Sequence, residues 1–245
     1  MRLFEKFYYE GFRLSNSLES LSFFEEGFKA QNIRIEQKGE NFFLYDRHNF
    51  LYYFVRELKD FSLQKSFVKI LSQNSTWLMQ NENFLKLNGF ENLIKHRQMQ
   101  LIKPLFTPQN YSFIEEAKRE DMVELKEFFS QFFDTTYLFL FSLKELEDKF
   151  NQCLIYKEKG QICGGLIYSS VLNGLYIDFI AVREKLAYKN VAFALLNTLI
   201  KRHPKAQLRL FVDRVNQRAI HFYERAGFTY AKNEFNFYIK ANGRA

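Results

Sequence analysis

The sequence predicts an α/β (α+β) protein, a mixed and mainly antiparallel sheet flanked by helices, laid down in two tandem copies over 1–108 and 109–245. Three observations predict it. Runs of strand type alternate along the whole chain with runs of helical period. The second half orders them β–α–α–β–β–β–α–β–α–β–β. Two short stretches also recur: VRE at Val55 to Glu57 returns at Val182 to Glu184, and NFLKLNGF at Asn83 to Phe90 is echoed by HFYERAGF at His221 to Phe228.

The first half opens with two helical faces, one of Leu3, Phe4, Phe7 and Tyr8, the other of Leu18, Leu21, Phe24 and Phe28. NIRIEQ and NFFLYD alternate around a turn at Lys38 to Asn41 and predict a hairpin. Phe50 to Arg56 reads as a third strand, Asp60 to Leu71 as a helix, STWLM as a short strand and NENFLKLNGF as a short helix ending at glycine. ENLIKHRQMQLIKP supplies one or two strands, and Pro104 and Pro108 bracket a linker.

In the second half YSFIEEA is a strand, Asp121 caps a helix through Phe129, and Leu143 to Phe150 is a further helix. Gln152 to Tyr156 and Gln161 to Ser169 form a hairpin, and Asn173-Gly174 marks a tight turn before the strand Leu175 to Val182. A helix from about Asn190 to Arg202 stops before Pro204. Strand 207–213, helix 216–226 and strands near 228–232 and 234–240 close the chain. From valine to glycine the repeat spans 34 residues in the first half and 45 in the second, so the first copy has lost a loop or turns of helix.

The net charge of +7 divides as +3 over 1–108 and +4 over 109–245. No basic block results, which argues against a nucleic-acid partner, while a diffuse positive surface suits an anionic ligand. Phe (30) and Tyr (14) imply aromatic cores. Cys153 and Cys163 flank the turn at Lys157 to Gly160 and are expected to face each other as buried thiols, with no metal spacing around them. The four histidines are isolated and expected at the surface, and no metal motif occurs. The N-terminus has no apolar signal core and no run approaches a membrane span, so a cytoplasmic protein without membrane contact is expected.

The most specific stretch is LRLFVDRVNQRAIHFYERAGF, Leu208 to Phe228. A buried strand leads into a helix opened by Asn216, whose side chain is suited to cap it, and Gly227 closes it. The strand followed by N-x-x-A-I-x-x-Y-E-x-x-G-F is similar to the second coenzyme A motif of the GNAT acetyltransferase superfamily, and the element order of 109–245 is that of the GNAT fold. What the resemblance implies is an N-acetyltransferase that moves an acetyl group from acetyl-CoA, as co-substrate and without a metal, to a primary amine of a small molecule or peptide. A monomer or homodimer is expected.

The resemblance also assigns residues. The pyrophosphate loop falls on Ala187, Tyr188, Lys189, Asn190, Val191 and Ala192. It departs from the family pattern at Ala187, where Gln or Arg is usual, and at Asn190, where the middle glycine is usual. Asn tolerates positive φ better than most residues, so the anion nest can survive. Phe179, Ile180 and Val182 would offer backbone amides from a bulge in the central strand. Asp178, the one acid in GLYIDFIAV, stands where family members carry a carboxylate that draws the amine proton through water. Tyr223 matches the tyrosine that protonates the departing thiolate, and Asn216 would touch the coenzyme arm. Each residue has a plainer use: Asp178 paired at a surface, Tyr223 in the core, Asn216 as a cap, 190–202 as a helix start. The first half carries Leu51 and Leu85 at the two catalytic positions, so it is expected to be a degenerate GNAT-like domain. A non-catalytic binding or regulatory protein that has lost efficient use of acetyl-CoA is the alternative reading.

Overall fold

The computed structural model describes residues 2–172, 174–184 and 190–240. The chain folds as two compact units, one running to Arg97 and resuming at Lys232, the other comprising Gln98–Ala231. The division therefore falls inside two strands rather than at 108. The expected linker belongs to the second unit, where Leu105 N donates to Ala226 O and Gln109 N to the buried Asn197 side chain.

The first unit contains α1 (Arg2–Glu10), β1 (Leu14–Ser15), α2 (Leu21–Lys29), β2 (Ile33–Lys38), β3 (Asn41–Asp46), β4 (Leu51–Val55), β5 (Ser66–Ser72) and α3 (Ser75–Leu87). It also holds most of β6 (Glu91–Leu101) and the end of β12 (Phe228–Lys240). Strands β1, β4, β3 and β2 form an antiparallel sheet in that order. All five residues of β4 are buried, which is why LYYFV shows no alternation.

Three sequence expectations fail here. Residues 66–72 form a strand, not part of a helix, because Phe67 to Ile239 and its neighbours pair β5 with β12. Tertiary pairing overrides the local period, and no sequence pattern could announce a partner at the far end of the chain. STWLM is the first turns of α3, not a strand: Asn74 caps it by accepting from Trp77 N at 3.0 Å. The C-terminal stretch is one continuous strand, β12, rather than two.

The second unit contains β7 (Glu115–Glu116), a 3₁₀ turn at Arg119–Asp121, α4 (Met122–Ser130), α5 (Leu143–Asp148) and β8 (Cys153–Glu158). Then follow β9 (Gln161–Val171), β10 (Gly174–Val182), α6 (Val191–Arg202), β11 (Gln207–Asp213) and α7 (Gln217–Ala226). Its strands run β12-β6-β11-β10-β9-β8-β7. Pairing is antiparallel through β7, β8, β9 and β10, and parallel between β10 and β11. One face carries α6 and α7 over Leu175, Ile177, Leu208, Leu210 and Val212. The other carries α4 and α5 over Cys153, Ile155 and Ile167.

Two consecutive glycines let both layers close on β9. A Cβ on Gly164 would stand 2.7 Å from Val191 of α6, and one on Gly165 would stand 3.1 Å from Leu125 and Phe129 of α4. The cysteines do not face each other: Cys153 is opposite Ile167, and its side chain lies in the α4 layer while that of Cys163 lies in the α6 layer. His96 is also not at the surface. It is buried on β6 with its ring 5.7 Å from Phe237.

The recurring stretches occupy like positions. Each VRE valine ends a strand, β4 or β10. Each echo of the glycine motif is the end of a helix, a left-handed glycine (Gly89 φ +74, Gly227 φ +102) and a strand start. Phe50 and Phe67 even form a parallel bridge, as β10 and β11 do, but no helix intervenes between β4 and β5.

Candidate active site

The centre of the second unit is an irregularity in β10. Its register against β9 shifts between Ile177 and Phe179, so Asp178 is the extra residue of a bulge. Side-chain parity confirms the shift. Leu175 and Ile177 face α6, but beyond the bulge Ile180 and Val182 do so, while Phe179 and Ala181 turn to the α4 layer. Pairing with β11 covers Gly174 to Ile177 against Gln207 to Leu210. From Asp178 to Val182 that edge of β10 has no strand partner among the described residues, so its outward amides and carbonyls take no part in a β10–β11 ladder there.

Asp178 is largely buried on the α4 side. Its Oδ2 accepts from Ser169 Oγ at 2.5 Å and lies 3.4 Å from Lys149 Nζ, and Lys149 in turn donates to Ser169. Burial pushes the carboxyl above its ordinary range, and the Ser169 hydrogen bond and the Lys149 charge offset only part of this. Phe179 beside it enters a ring cluster with Phe133 at 4.9 Å and Phe139 at 5.1 Å.

Across the sheet, α6 begins at Val191, which is buried, while Ala192 is half-buried. Asn190 precedes it at φ −104, so it does not take the left-handed conformation that its replacement of glycine suggested, and its side chain does not cap the helix. Asn190 therefore leaves the first amides of α6 without a side-chain cap of its own. Ala187, Tyr188 and Lys189 lie outside the described residues, as does Asn173 of the expected turn.

Helix α7 is built as the sequence implies. Asn216 is exposed and accepts from Ala219 N at 3.0 Å. Gly227 closes the helix at positive φ, where a Cβ would also meet Lys103 O at 2.4 Å, so conformation and space both require glycine. Tyr223 is 7% exposed and packs against Phe222 and Phe228 with ring separations of 5.1 and 5.4 Å. Burial pushes its phenol well above the usual tyrosine value.

The bulge joins Asp178 to two residues that sequence reasoning missed, Lys149 and Ser169. Nothing in their local pattern marks them. The bulge itself leaves a trace: the aliphatic positions of LYIDFIAV fall at 175, 177, 180 and 182, a two-residue period broken once by three. In the first unit Leu51 and Leu85 are both buried apolar residues of the core, with no titratable group in their place.

Residues 112–228 match the model of the acetyltransferase (GNAT) family. No curated protein matches the sequence. Among solved structures, a GCN5-related N-acetyltransferase from Sphaerobacter thermophilus is similar with a TM-score of 0.55 at 16% identity, covering 83% of this chain and 78% of that one. A GNAT-family acetyltransferase from Colwellia psychrerythraea gives 0.54 at 14% identity, covering 93% and 99%. At these identities the likeness is one of fold, and it extends well outside the stretch that the family model matches.

Proposed function

With residues 112–228 a domain of the acetyltransferase (GNAT) family, we propose that the protein transfers an acetyl group from acetyl-CoA to a primary amine by direct attack. The observation that carries this reading is the parting of β10 from β11 at the Asp178 bulge. A strand edge freed there fits the amide-bearing arm of coenzyme A, which can pair with it like a strand. The start of α6, which the Asn190 side chain does not cap, suits a phosphate, since helix N-terminal amides attract anions.

In this reading the edge from Phe179 to Val182 and the α6 start at Asn190, Val191 and Ala192 hold the coenzyme, with Ala187, Tyr188 and Lys189 completing the loop. Asn216 shapes the mouth by fixing the first turn of α7. Acetyl-CoA, when bound, supplies the activated acyl group. Asp178 takes the proton of the attacking amine through a water, and its raised carboxyl pKa brings it nearer to the pH at which a general base works best. Tyr223 gives its phenolic proton to the departing thiolate. Lys149 and Ser169 hold the Asp178 carboxyl in place.

Titration calorimetry with acetyl-CoA, followed by acetyl transfer to a panel of primary amines, tests the proposal. Micromolar binding with turnover supports it. One observation favours a second reading, a binding or regulatory protein of the same fold: the loop lacks the glycine and Asn190 has ordinary φ. Absence of binding at millimolar acetyl-CoA decides for that reading.

A further inference from the structure

The sheet face that carries Asp178 also carries a guanidinium that meets no acid among the described residues. Tyr176 and Arg209 are register partners on β10 and β11, and both point away from the α6 layer, as the burial of Leu175, Ile177, Leu208 and Leu210 in that layer requires. Gln98 donates to the Tyr176 hydroxyl, and Phe211 stands beside Tyr176 with its ring 5.7 Å away. Arg209 is half-buried. Its Nη2 donates to Gln207 Oε1 at 2.5 Å, and among the described residues it meets no carboxylate.

A half-buried guanidinium has five donors in a rigid fork. Holding it without a counter-charge costs stability, which a bound anion would offset. Asp178 lies on the same face two residues beyond Tyr176. That places its Cα roughly 7 Å along β10 and about 5 Å across from the Arg209 position. Two facing side chains of opposite sign at this spacing suit a zwitterion bound between them. Lys149 is committed to Asp178 and Ser169, which leaves Arg209, of these two cations, as the one available to a ligand. A single negative charge matches it, and the planar fork favours a carboxylate.

We propose that Arg209 receives the carboxylate of the acceptor, so that the amine presented to Asp178 belongs to an amino acid or a short ω-amino carboxylate. This rests on the acetyltransferase reading above and names its acceptor class.

The test uses the full chain and a panel of the common amino acids with β-alanine and γ-aminobutyrate, each against its carboxamide. Binding is measured by calorimetry or ligand-observed NMR without acetyl-CoA, and acetyl transfer is measured separately. At least one free acid is expected to bind about tenfold or more tightly than its amide. Arg209→Gln is expected to bring that ratio to near one with amide binding unchanged, and Arg209→Lys to restore part of it. Melting curves of both variants confirm folding. Equal binding of acid and amide, a preference that survives Arg209→Gln, or tighter binding of phosphoethanolamine than of every amino acid overturns the proposal. Arg209-dependent binding without acetyl transfer supports the carboxylate site and removes the transferase reading instead.

Discussion

Lys149 Nζ stands 3.4 Å from Asp178 Oδ2, the oxygen that also accepts the Ser169 hydroxyl. Burial raises the Asp178 carboxyl pKa and the Lys149 ammonium works against that rise. Lys149→Met removes the opposing charge, so the carboxylate becomes harder to form. The acid limb of kcat/KM for acetyl transfer is expected to move to higher pH, with activity on the alkaline side largely retained. A loss that is equal at every pH would mean that Lys149 only supports the fold.

Tyr223→Phe deletes one buried hydroxyl and leaves the ring packing against Phe222 and Phe228 in place. Turnover is expected to fall about 100-fold, the scale of a general-acid contribution, while calorimetry finds acetyl-CoA binding unchanged. Unaltered turnover would return Tyr223 to a purely structural role.

Gly164 and Gly165 permit a paired comparison. Gly164→Ala forces the new methyl against Val191 at the start of α6, and Gly165→Ala forces it against Leu125 and Phe129 of α4. Each substitution is expected to cost about 1–3 kcal/mol of stability from overpacking. Acetyl-CoA affinity should drop in Gly164→Ala alone, because only that change displaces the helix start assigned to the phosphates. Denaturant titration and calorimetry on both variants check this.

Asp121 is a stability determinant away from the site. Its burial alone would raise its pKa, but Lys157 at 2.5 Å and the Lys118 amide at 2.8 Å hold it below the usual carboxylate range. A depressed folded-state pKa adds stability that is present above the unfolded value, about 4, and is lost as pH falls through the lower folded value. Asp121→Asn is expected to cost about 2 kcal/mol at pH 7, as for a hydrogen bond to a charged group. The difference from wild type should shrink below about pH 4, as urea titrations at the two pH values would reveal.

Much of the second unit was legible because its signals are local. Asn216 and Gly227 bound α7, Pro204 follows α6, and the hairpin β8–β9 turns at Gly160. What was missed depends on distant partners. β5 reads as part of a helix until β12 pairs with it, and Asp121 bends back to the Lys118 amide rather than forward into α4. At the candidate site, Asp178 stood out as a lone acid among apolar neighbours. Lys149, Ser169 and Arg209 did not, since a lysine, a serine and an arginine at half-buried positions carry no pattern of their own.

The pairing of β5 with β12 has a consequence for the order of synthesis. Residues 66–72 are made well before their partners at 234–240, with the whole of 98–231 in between. The second unit, by contrast, is complete in sequence by Ala231. During translation the unit 98–231 can finish before residues 234–240 exist, and β5 must wait for them with the Val68 and Ile70 edge uncovered.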